Sequence, residues 1–358
     1  MSRVNGKILF VGSIPFQTAE EVFCTTAQAV GDQVSCLPDG EIGFRKQWIN
    51  FLAAKLYCEH PSLTTVSRPK TPDGGDGWEP TGYDEHWFFR VRDGVESIRF
   101  DDLGYAREAN DSYAVFRRLR NDGVIPRGVR FQISLPLTES ATRPFVISTK
   151  DFQIMWAAYE DAMMRELALI VKAIPAEDLV IQWDIFGEVV AIATGDQREG
   201  LSAWEAPGDP FDRYLGALQT LARHVPDAVP MGLHLCYGDL LHRHLVEPQD
   251  LGVVVRVANE SVDAIKRPVD YVHMPVPRSR YDRSYFAPLQ DLSIGDARLY
   301  LGLVHHTNGL DGTLRRIDAA KRQRSSFGIA TECGLGRRKP ETIPELLKIH
   351  RAAATQLD

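Results

Sequence analysis

A chain of 358 residues with 44% hydrophobic and 25% charged content has the make-up of a folded globular protein, not of a disordered or membrane-embedded one. Its formal charge of -7, with no run of lysine or arginine, excludes the electrostatic footprint of a nucleic-acid or anionic-membrane binder and leaves a small molecule as the expected partner. Five cysteines, an odd number scattered along the chain, do not make a disulfide framework, and "MSRVNGKILFVGSIPF" carries no signal-peptide pattern, so the expected location is cytoplasmic.

In chain order, β-branched and apolar runs that end in polar or Gly/Pro turns predict eight strands: "KILFVGS", "VSCLPDGE", "VRFQISLP", "LVIQWDIFGE", "MGLHLCYGD", "VDYVHMPVP", "LYLGLVHH" and "FGIATECG". Helical patterns lie between them. Thr18 and Glu21 have capping-box spacing before "VFCTTAQAV", "DFQIMWAAYEDAMMRELALIVKAI" is a long amphipathic stretch, and Thr342 with Glu345 opens "PELLKIHRAAA". Eight strands alternating with helices predict an α/β fold, a single (β/α)8 TIM barrel spanning residues 1–358.

Residues 42–128, between the second and third strands, are too long for a simple crossover and are expected to form an insertion over the barrel mouth. They hold a helix around "INFLAAKLYC", a loop "RPKTPDGGDGWEPTG", a hairpin in "HWFFRVRDGVESIRF" and a helical "SYAVFRRLR". Trp78, Tyr83, Trp87, Phe88 and Phe89 either wall the mouth or pack the insertion onto the barrel.

Chemistry on such a barrel gathers where the strands end. Those ends carry Ser13, Asp39 with Glu41, Asp184 with Glu188, His234 with Cys236, His273, His305 with His306, and Cys333. His234 and Cys236, two apart on a strand, face the same way. With Cys333 they make a His/Cys/Cys set suited to zinc with a fourth position open, whereas alone they read first as core packing. Asp39 and Glu41 fit a substrate ammonium or a helix cap. Asp184 ends an apolar run and needs a partner, either a ligand or an arginine. Glu188 reads as substrate-binding or as a solvated loop residue. Of His305 and His306 one faces inward, as an acid/base group or a structural histidine. Cys24, Cys36 and Cys58 are expected to pack.

Several of these segments resemble the catalytic domain of cobalamin-independent methionine synthase and its relatives in the uroporphyrinogen decarboxylase-like barrel superfamily. "VGSIPF" is similar to the family's Ile-Gly-Ser-Phe-Pro, "DGEIGFR" to its Gly-Glu segment and "IQWDIFGE" to its Ile-Gln-x-Asp-Glu-Pro. "HLCYGD" matches His-x-Cys-Tyr, and "ATECGLGRR" resembles Asp-Cys-Gly-Leu-x-x-Arg. The resemblance, which runs over essentially the whole chain, implies that His234, Cys236 and Cys333 bind zinc. It also implies that Glu41 and Asp184, with the backbone at Gly12 and Ser13, hold the amino-acid end of a homocysteine-like thiol that becomes a methyl or alkyl acceptor.

The sequence departs from the family pattern in three places. It has room for one barrel and not two. "VDYVHMPVPR" lacks the family's glutamate ligand, for which His273 is the expected substitute and Glu332 the less favoured one. "SLPLTESATRPF" lacks the tryptophan near the pterin. The expected function is therefore a zinc-dependent methyl- or alkyltransferase activating a thiol as thiolate, with His305 or His306 protonating the leaving group. The alternatives are a zinc-dependent lyase or hydrolase on the same barrel, and a closed structural metal site without catalysis. Neither donor, acceptor nor oligomeric state is specified by the sequence.

Overall fold

The computed structural model describes residues 3–69, 87–197, 204–240 and 242–357. Among these residues nine strands follow in chain order: β1 (Cys36–Pro38), β2 (Leu63–Ser67), β3 (Phe88–Val91), β4 (Arg130–Pro136), β5 (Leu179–Ile185), β6 (Met231–Leu235), β7 (Tyr271–Pro275), β8 (Arg298–Val304) and β9 (Gly328–Thr331). β1 and β4 to β9 form one curled sheet in that order, every pairing parallel. Helices cover the outer face and side chains fill the inner one, so a strand such as β5 is buried along its whole length.

The first expected strand makes no continuous ladder. Ile8 bridges Val34 on one side and Ile329 on the other. Leu9 N donates to Ile329 O at 2.9 Å, Ile329 N to Lys7 O at 2.8 Å, and Ile8 N to Gln33 O at 3.1 Å. Residues 7–9 thus link the two edges of the sheet, an arrangement compatible with a TIM-type barrel. The other seven expected strands coincide with β1 and β4 to β9.

The interior is filled in layers. Tyr271 and Tyr300 occupy the bottom with Leu9, Val11, Cys36 and Val180. Glycines on the neighbouring strands make their space: a Cβ at Gly232 would fall 2.0 Å from Tyr271 Cζ, and one at Gly328 would fall 2.4 Å from Tyr300 Cε1. One level higher, Tyr271 Oη donates to Gln182 Oε1 at 2.9 Å, and Gln182 Nε2 donates to Asp184 Oδ1 at 2.8 Å. The packed bottom therefore supports the polar top.

Between β1 and β4 the expectation is partly revised. The helix Tyr105–Asn121 packs on the helices Ala19–Val30 and Thr149–Ala173 and on β4, so it belongs to the outer helical layer as the crossover and not to an insertion. The predicted hairpin within "HWFFRVRDGVESIRF" is replaced by pairing of β3 with the earlier β2. Trp87 and Phe89 are buried, Tyr57 meets Phe89, Phe100 and Phe145 edge-on or tilted, and these aromatics pack the segment onto the barrel. Trp78, Tyr83 and most of "RPKTPDGGDGWEPTG" lie outside the described residues.

Of the two expected capping boxes one forms its first half. Glu21 N donates to Thr18 Oγ1 at 3.1 Å, with Glu21 Oε2 accepting from Gln17 N at 3.2 Å. Thr342 instead closes a short 3-10 turn, its hydroxyl donating to Lys339 O at 2.7 Å. No described helix is long and apolar enough to cross a membrane.

Candidate metal centre and its cavity

Alternation along β6 points His234 into the barrel, and the ladder runs one step past the strand, where Cys236 N donates to Ile185 O at 2.9 Å. Cys333 follows β9 and is fixed by Thr331 Oγ1 donating to the Cys333 carbonyl at 2.7 Å. The two sulfurs stand 3.8 Å apart and Cys333 Sγ lies 3.7 Å from His234 Nε2. All three donor atoms fall within 4.8 Å of one another. Tetrahedral coordination at about 2.3 Å for sulfur and about 2.0 Å for imidazole nitrogen sets ligand atoms roughly 3.5 to 3.8 Å apart, which the Cys236–Cys333 and Cys333–His234 separations match.

Cys333 accepts a hydrogen bond from Cys236, which lowers the Cys333 pKa and, with burial, raises that of Cys236. Burial, and then the neighbouring His273, hold the His234 pKa well below the ordinary histidine value, so this ring is neutral, the form that binds metal. Phe186, Val190, Trp48, Leu245 and Val246 pack around the two cysteines as an apolar collar.

His273 does not join the cluster. It pairs in register with His234, its Nδ1 is 2.7 Å from His234 Nδ1, and its Nε2 is 3.0 Å from Thr331 O. Both ring nitrogens are thus engaged away from the sulfurs, and the expected fourth ligand is a neighbour of the first. Glu332 points elsewhere as well, its Oε1 standing 2.7 Å from His244 Nε2 in an ion pair.

The cluster lies at the edge of a cavity of about 100 Å³ that Ser13, Glu41, Trp48, Asp184 and Arg337 also line. Asp184, at the end of β5, accepts from Gln182 Nε2 at 2.8 Å and from Trp48 Nε1 at 3.1 Å. Glu41 has a positive φ of 50°. A Cβ at Gly12 would fall 3.1 Å from Glu41 Oε1, so the first segment approaches as closely as glycine allows. Burial raises both carboxyl pKa values well above normal, and the charge of Asp184 raises that of Glu41 further. Two buried carboxyls of this kind seek a proton or a cation. Ser13 Oγ accepts from Gly336 N at 3.2 Å, which ties the first segment to the loop carrying Cys333.

Besides His273 and Glu332, four expected site residues stand outside this cavity lining. Asp39 binds Arg45 Nη2 at 2.6 Å, Ser112 Oγ at 2.7 Å and Glu41 N at 2.9 Å; burial opposes its charge, but Arg45 and these hydrogen bonds leave its pKa lowered. It organises the turn that carries Glu41. Glu188 is fully buried behind Phe186, where Ser140 N and Oγ donate to its two oxygens at 3.0 and 2.5 Å, and burial lifts its pKa to about 7. His305 is buried with Nε2 2.8 Å from Val276 O and a pKa pushed down to about 3 by burial, while His306 is exposed. Neither histidine lines the cavity, so neither stands where it could protonate a leaving group within it.

Three residues at the site were not anticipated. Gln182 precedes Asp184 by two on one strand face, a spacing that alternation could have revealed. Arg337, with Nη2 at 4.0 Å from Cys333 Sγ and Nε donating to Asp239 O at 3.1 Å, sits inside the Cys-Gly-Leu loop. Trp48, φ 50°, comes from a short 3-10 turn that carries no periodic signal.

No family model matches the sequence, and no curated protein matches it. Among solved structures the chain is similar to a B12-independent methionine synthase from Shewanella sp. W3-18-1 in complex with selenomethionine, with a TM-score of 0.63, 11% identity, and 99% of this chain and 98% of that one covered. It is also similar to a methyltransferase from Methanosarcina mazei, with a TM-score of 0.51, 12% identity, and 98% and 94% covered. At these identities the likeness is one of fold.

Proposed function

We propose that the chain is a methyl- or alkyltransferase of the methionine-synthase type, in which His234, Cys236 and Cys333 hold zinc and a small thiol is the acceptor. The observation that carries this is the meeting, at one cavity, of a His/Cys/Cys set whose donor atoms lie within 4.8 Å of one another with the buried carboxyl pair of Glu41 and Asp184. Zinc bound there would lower the pKa of a substrate thiol so that the thiolate nucleophile exists near neutral pH.

The chain's own residues supply the rest. Glu41 and Asp184, a buried carboxyl pair, take the ammonium group of an amino-acid thiol, with Gln182 and Trp48 orienting Asp184 and the backbone at Gly12 and Ser13 receiving the carboxylate. The selenomethionine of the Shewanella structure is an amino acid of this size class. The collar of Phe186, Trp48 and Leu245 keeps water from the sulfur, and Arg337 offsets negative charge at Cys333.

A lyase or hydrolase reading draws on the same carboxyl pair, because raised pKa values suit general acid–base work. Cobalt substitution separates the two. Homocysteine or coenzyme M added to the cobalt protein changes its visible spectrum if a thiol joins the metal, and silence from all small thiols overturns the transferase reading. Turnover without added thiol supports the second.

A further inference from the structure

We propose that His273 is a positioning residue of the centre, which fixes His234 in the tautomer that presents a bare Nε2 to the cysteines and leaves the metal three protein ligands. The metal half of this inference rests on the zinc reading above; the tautomer half does not.

Thr331 O only accepts, and His273 Nε2 lies 3.0 Å from it, so that nitrogen carries the proton. A neutral His273 then has a bare Nδ1. His234 Nδ1, 2.7 Å away, must donate to it, because two bare nitrogens at that distance repel and two N–H groups clash. His234 Nε2 is left with its lone pair, 3.7 Å from Cys333 Sγ. The chain of bonds closes on itself, since Thr331, which anchors the relay, also donates its hydroxyl to the Cys333 carbonyl at 2.7 Å. One residue thereby sets the position of the thiol and the tautomer of the imidazole. His273 is fully buried and lies off the cavity that His234 borders, so water does not reach the far side of the pair to replace it. A ring nitrogen held by a second acceptor is the usual outer-shell support of a metal-binding histidine, and here a second histidine supplies it.

The test begins with wild-type protein labelled with 15N at histidine and stripped of metal. Long-range proton–nitrogen correlation is expected to show His234 protonated at Nδ1 and His273 at Nε2; His234 protonated at Nε2 overturns the relay. His273→Leu is then expected to weaken zinc affinity roughly 10- to 100-fold. His273→Gln restores most of it, because a carboxamide both accepts and donates. X-ray absorption of the zinc-loaded wild type is expected to show one imidazole and two sulfurs. Two imidazoles make His273 a ligand and overturn the proposal, as does unchanged affinity in His273→Leu. If the wild type takes up no zinc, the zinc reading fails while the tautomers still decide the relay. If His273→Leu does not fold, the wild-type spectra decide alone.

Discussion

Trp48 donates its indole N–H to Asp184 across 3.1 Å while its ring stands edge-on to Phe186, at 5.6 Å between centroids. One side chain thus orients a buried carboxyl and forms part of the apolar collar round the cysteines. It does so from a left-handed backbone conformation, φ 50°, that disfavours a bulky residue. Trp48→Phe keeps the aromatic contact and removes the hydrogen bond. A hydrogen bond of this kind contributes about 0.5 to 1.5 kcal/mol, and because it orients Asp184 before the thiol arrives, thiol affinity in the cobalt protein is expected to fall by up to roughly 10-fold. Unchanged affinity would separate Asp184 from substrate binding.

Gly232 and Tyr271 test the packing beneath the site. A Cβ at Gly232 would fall within 2.2 Å of Tyr271 Cε1, and Tyr271 supports Gln182 and through it Asp184. Gly232→Ala is expected to destabilise the fold by at least about 1 to 3 kcal/mol in urea unfolding. Gly216, mid-helix in Pro210–Ala222 with nothing within 4 Å of its would-be Cβ, is the control. There alanine is expected to stabilise by about 0.5 to 1 kcal/mol.

His350 sets part of the acid response. Its Nδ1 donates to Leu346 O at 2.8 Å, its ring packs against Phe10 at 5.6 Å, and burial pushes its pKa down to about 4. Because the folded pKa lies below the unfolded one, the two states bind protons alike above pH ~6.5. As pH falls from there toward 4 the unfolded chain takes a proton that the folded chain refuses, and stability drops by about 1.4 kcal/mol per pH unit for this one group. His350→Leu is expected to flatten the fall by that slope in urea titrations of the metal-stripped protein between pH 6 and pH 4.5. An unchanged slope would mean that the ring is protonated in the fold.

The strands were legible because they are apolar on both faces and end in turn residues, and the pairing of His234 with Cys236 because the period of a strand is two. The rest failed where that period breaks. Glu41 has φ 50°, so it and Asp39 do not share a face: one lines the cavity and the other binds Arg45. Glu188 lies beyond the end of β5 in a helix, Gly187–Thr194, and turns inward to Ser140. His273 does face the interior, but register sets it beside His234 rather than above it, a depth that no single strand encodes. Trp48 and Arg337 reach the cavity from irregular loops.

Metal content is the most direct test of the central claim, measured by elemental analysis on zinc-reconstituted wild type beside Cys236→Ser and Cys333→Ser. The geometry of His234, Cys236 and Cys333 predicts about one zinc per chain in the wild type, in line with a three-residue set completed by a fourth, non-protein position, and loss of it in both variants. A folded wild type that takes up no zinc, or variants that retain it fully, would contradict the account and leave the cysteines as packing residues.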